Sequence, residues 1–230
     1  MSIKFFSAAV RRHARREDGA SLVEFAIVFS LFLLIFFALL DFGRLGFNWV
    51  MTEKAMQRAA RIATVRPPVC ENVPETHGKI SGSDERFGTL CSVGGACVDG
   101  GTQQCVLSAA EIDCEAVEAP ITTAEEIWCT LQPIMPSNAT PANIRVAYSY
   151  DGNLGFVGGP YTPMVEVGVV TAGNVPTGGE ALNFTFITPL GGLAGLVGGA
   201  IDNVDANNQI PFPDMTVTLP GEDLNQGNNG

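Results

Sequence analysis

GASLVEFAIVFSLFLLIFFALL, residues 19–40, is an almost unbroken apolar run with one carboxylate, Glu24, near its start. As a helix rising about 1.5 Å per residue it crosses a hydrocarbon layer about 30 Å thick. It has no polar face to set against a water-filled surface, so the run reads as a membrane span over about residues 20–40. A carboxylate inside such a helix is costly, which marks Glu24 as a residue with a partner or a task.

The chain around the span is unevenly charged. The leader, residues 1–19, carries Lys4, Arg11, Arg12, Arg15 and Arg16 against Glu17 and Asp18. Beyond Arg66 there are three basic residues (Lys79, Arg86, Arg145) and nineteen acids. Basic residues beside a span stay on the cytoplasmic side, which places the leader there and the bulk of the chain across the membrane. The acidic exterior excludes nucleic acid as a partner, because binding it needs a basic surface.

Downstream, WVMTEKAMQRAARIATVR continues the helix, with Val50, Met51, Ala55, Ala59, Ile62 and Ala63 as its apolar or small stripe. Gly43 and Gly46 are expected bending points. Pro67-Pro68 ends the helix, since proline removes a donor and restricts the residue before it. Residues 20–66 thus form one helix about 70 Å long.

Cys70, Cys91, Cys97, Cys105, Cys114 and Cys129 all follow the span. An even set confined to the exported side reads as disulfides, with fifteen possible pairings left open. Zinc is disfavoured, because there is no C-x-x-C and His77 is the sole exported histidine. Residues 69–131 form a stapled, loop-rich region with short helices after Ala109 and with Trp128 against a disulfide. Strands are expected at 144–150, 164–171, 182–188 and 215–219, where apolar alternation is bounded by Gly, Pro and Asn. Residues 141–221 therefore make an antiparallel sheet that the exported half of the helix covers. The fold class is α+β, and residues 222–230 are a polar tail expected to be disordered.

Residues 189–201, PLGGLAGLVGGAI, are apolar but too short to span. Gly191, Gly195 and Gly199 fall four apart, as in close-packed helices, while glycine content equally fits an apolar loop. No catalytic constellation is present: no G-x-S-x-G, H-E-x-x-H or S-x-x-K, and His77 reads as a surface residue. No enzyme activity, cofactor or metal is expected. Asp202, Asp205 and Asn207 miss the spacing of a calcium loop.

Arg15-Arg16-Glu17-Asp18-Gly19-Ala20-Ser21-Leu22-Val23-Glu24-Phe25 resembles the processed leader of TadE-like pseudopilins, minor components of the Tad (Flp) pilus system. Asp41-Phe42-Gly43-Arg44 and Ala59-Ala60-Arg61-Ile62-Ala63 resemble that family's segment after the span. The resemblance covers residues 15–66, and the cysteine-rich region looks like an insertion. It implies a cut between Gly19 and Ala20 by a prepilin peptidase, and recognition or assembly through Glu24 and Phe25. The implied partners are that peptidase, other pilin or pseudopilin subunits, the Tad inner-membrane platform and the lipid bilayer. The implied location is a bacterial inner membrane, with a single pass and the C-terminal domain outside. The competing expectation is an uncleaved signal anchor whose outer domain binds an external ligand, as an adhesin does.

Overall fold

A computed structural model describes residues 18–108, 112–114, 122–188, 209–222 and 224. The leader before Asp18, the Gly-rich run 189–201, most of 109–121 and the last residues of the tail lie outside these. The chain divides into two units, one over Met1–Arg44 and Phe186–Asp202, the other over Leu45–Thr185 and Asn203–Gly230.

Helix α1, Asp18–Val65, carries through both glycines at 43 and 46 and stops just before Pro67-Pro68. Its first part is bare. The window that qualifies as a membrane span has no buried residue, and Leu22, Phe25 and Leu39 are each 67–70% exposed. Among the described residues none buries this stretch, and an apolar helix of this length is a single-pass membrane anchor by length and composition.

In the second unit α1 changes character. Leu45, Thr52, Ala55, Met56, Ala59, Ala60 and Ala63 are buried. This stripe departs from the expected one: Val50 is exposed, while Met51 and Ile62 are half-buried. At 100° per residue Val50 lies far around the wheel from Ala55, so it cannot share that face. Alanines predominate on the buried side, which lets neighbouring backbone approach closely.

The sheet is antiparallel, in the order β1-β2-β3-β6, from β1 (Thr102–Val106), β2 (Ile144–Ser149), β3 (Met164–Val169) and β6 (Thr216–Pro220). Strand β2 is central and buried on both faces from Ile144 to Tyr148. A separate pair joins β4 (Asn183–Thr185) to β5 (Gln209–Pro211). Helix α2, Thr123–Leu131, starts on a Thr122 cap whose hydroxyl accepts the Glu125 N–H at 3.2 Å. The Arg66 guanidinium holds Glu126 at 2.9 Å, and Thr64 C=O accepts the Glu222 N–H at 3.0 Å. The helix end, α2 and the chain after β6 are thereby tied together.

All six cysteines are paired, as Cys70–Cys105, Cys91–Cys97 and Cys114–Cys129. Trp128 is buried, as expected beside Cys129. Arg145, on the central strand, lies across from Gly168 and reaches Glu166 at 2.7 Å. A Cβ on Gly168 would fall 2.7 Å from the Thr216 methyl and 3.4 Å from Arg145 Nε, so the missing side chain is what makes room.

Candidate functional site

The residues singled out at the head of the helix all sit in its first two turns. Gly19 and Ala20 are exposed, and a Cβ on Gly19 would meet nothing within 4 Å. Glu24 is exposed and, among the described residues, has no ion-pair partner. Ala20 and Glu24 are four residues apart, hence on one face with Cβ atoms about 5–6 Å apart. Phe25 is 67% exposed and stacks on Phe29, one turn along, with ring centroids 5.7 Å apart. The helix therefore brings Ala20 and Glu24 together and leaves Phe25 turned outward.

A second polar position closes the apolar run. Asp41 is 1% exposed and accepts the N–H of Ile187 at 3.3 Å, the N–H of Thr188 at 3.1 Å and the Thr188 hydroxyl. The Arg44 guanidinium lies 3.6 Å from the same carboxylate. This arrangement explains why the expected strand over 182–188 ends at Thr185: the next amides bond a carboxylate instead of a sheet ladder. The sequence signal for it was an aspartate directly after the span, where an unsatisfied carboxylate is costly.

His77 corrects a sequence expectation. It is 2% exposed, not a surface residue, and its Nε2 accepts the Thr162 backbone N–H at 3.1 Å. Its ring packs on Tyr161 and Tyr150, with centroids 5.0 and 6.1 Å away. Gly155 makes the space: it has φ +79°, and a Cβ there would fall 2.1 Å from His77 Nε2. Ligand atoms of His77, Cys91 and Cys97 lie within 4.8 Å of one another. Both sulfurs are spent on the Cys91–Cys97 disulfide, which leaves a lone imidazole and no thiolate for a metal.

Burial holds the His77 pKa below its ordinary value. The folded state then binds fewer protons than the unfolded one between that lowered value and about 6.5. Stability is expected to be full above about pH 6.5 and to fall below it by up to about 1.4 kcal/mol per pH unit, levelling once the folded pKa is passed. Urea titrations of the detergent-solubilised chain at a series of pH values check this. A slope that persists unchanged in His77→Gln would assign it to other groups.

Anchor, bare apolar helix, stapled sheet domain and an acidic residue one turn from Ala20 define a class: single-pass, helix-led proteins with an α+β domain. Over residues 19–61 the chain matches the family described as TadE-like protein. That family implies a Tad pilus-related function and an N-terminal membrane-anchor helix, and it is not a family of enzymes. The match begins at Gly19, includes Glu24 and Asp41, and ends within α1. No curated protein and no solved structure matches the chain.

Proposed function

We propose that this protein is a minor pseudopilin acting in assembly of a Tad (Flp) pilus, cut after Gly19 by a prepilin peptidase. The observation that carries this is the conjunction, inside the matched segment, of a bare membrane helix with Glu24 one turn above Ala20. Removing residues 1–19 takes away the basic cluster and frees the Ala20 amine, which is protonated near neutral pH. On one helix face that amine meets Glu24, and the same pairing is available between neighbouring subunits. Either way a carboxylate among lipid tails gains a counter-charge, and the pairing between neighbouring subunits also makes their register specific.

The basic leader orients the molecule in an inner membrane with residues 1–19 cytoplasmic and the stapled domain outside. An oxidising exterior agrees with three disulfides. The partners are the peptidase, other pilin or pseudopilin subunits and the inner-membrane assembly platform. Glu24→Ala is expected to insert at least as well as the wild type, since it removes an intramembrane charge, while pilus number falls to background. Electron microscopy and membrane fractionation of complemented cells read both, and normal piliation would remove Glu24 from assembly.

A second reading, an uncleaved signal anchor with a binding outer domain, is favoured by one observation. Phe87 (79% exposed), Leu90 and Val93 stand exposed around the Cys91–Cys97 staple.

A further inference from the structure

The surroundings of Asp41 reverse the order found at a water-facing surface. The carboxylate is 1% exposed, whereas Phe42 is 62%, Leu39 70% and Ile187 74% exposed, all in the same unit. Charge turned inward and large apolar groups turned outward is the order suited to hydrocarbon. The position agrees. Asp41 is 21 residues beyond Ala20, about 30 Å along a helix, which is the thickness of the hydrocarbon layer.

Non-helical backbone at that level persists only where its polar groups are satisfied within the protein. The Ile187 and Thr188 N–H groups meet that condition through Asp41, which also accepts the Thr188 hydroxyl. Phe186 adds an edge-on contact to Phe42, with ring centroids 6.5 Å apart. Arg44, 3.6 Å from Asp41 and 44% exposed at its side chain, supplies the cation that suits a headgroup boundary.

We propose that residues 186–188 are a second lipid-contacting segment, seated against Phe42 at the bilayer edge far from the leader and fastened there by Asp41. The anchor then has two attachments, a spanning helix and a returning stretch of the outer chain. The occupant of this face is lipid, because Leu39, Phe42 and Ile187 continue the exposed apolar surface of the spanning helix. Asp41 is a positioning residue: it touches the returning backbone and leaves the lipid contact to Ile187 and Phe42. The proposal rests on α1 crossing a membrane, so its test must read the helix and the returning stretch separately.

The full chain is reconstituted in phosphatidylethanolamine–phosphatidylglycerol vesicles that carry a diazirine on the acyl chain, irradiated, and mapped by mass spectrometry. Adducts on the 20–40 helix and on Phe42 and Ile187 are expected. Adducts on the helix with none on 186–188 would overturn the second attachment and leave the anchor standing. An absence from both would sink the anchor as well. In Asp41→Ala, with all three disulfides verified by non-reducing peptide mapping, helix adducts should persist while the Ile187 yield drops severalfold. An unchanged yield would remove Asp41 as the fastening. Dimers crosslinked through a photoreactive residue at 187, in place of lipid adducts, would assign this face to a second copy and overturn the proposal.

Discussion

Gly19→Val is expected to leave residues 1–19 attached, with cleavage slowed on the order of a hundredfold, the scale on which a tight site rejects a misfitting side chain. The peptidase site must accept an extended backbone, and a branched side chain next to the scissile bond obstructs it. The structure makes this substitution informative. Gly19 is exposed, a Cβ there meets no atom within 4 Å, and valine is a better helix former than glycine. No folding defect is therefore expected, and a block in maturation reports recognition alone. Pulse-chase immunoblots in cells with an active peptidase measure the ratio of precursor to mature chain. Wild-type kinetics in Gly19→Val would show that the glycine is not read.

The largest expected loss of stability follows removal of one disulfide. Cys70–Cys105 closes 35 residues, Cys114–Cys129 closes 15 and Cys91–Cys97 closes 6. Loop-closure entropy then assigns them about 4, 3 and 2 kcal/mol respectively. Against a total of about 5–15 kcal/mol for a domain, the first is a large fraction. Its position adds to this, because Cys105 lies on edge strand β1 opposite Val146, and Cys70 follows Val69, whose N–H donates to buried Tyr148 Oη at 3.2 Å. Replacing Cys70 and Cys105 together with alanine should therefore lower the urea midpoint of the detergent-solubilised chain more than either other pair. Equal shifts for all three pairs would show that loop length does not set the contribution.

Local signals carried much of this fold, and long-range ones carried what they missed. The helix was legible because an apolar run, strong helix formers and Pro67-Pro68 all act within a few residues. Strands β2 and β3 were legible through alternating side chains. Strand β1 was not: TQQCV is polar, and its place depends on the Cys70 crosslink and on pairing with β2. The burial of His77 was hidden for the same reason, since its pocket is built by Gly155 and Thr162, about eighty residues away. The residues proposed for processing and assembly, Gly19, Ala20, Glu24 and Phe25, lie in one short stretch and needed no fold to be found. Asp41 needed the structure, because its partners come from residues 187 and 188.

N-terminal sequencing of the protein purified from membranes of cells with a working prepilin peptidase addresses the proposed processing most directly. Mature chains should begin at Ala20, with the amine free to meet Glu24. Chains that still begin at Met1 would contradict processing after Gly19 and leave an anchored outer domain that binds in its own right.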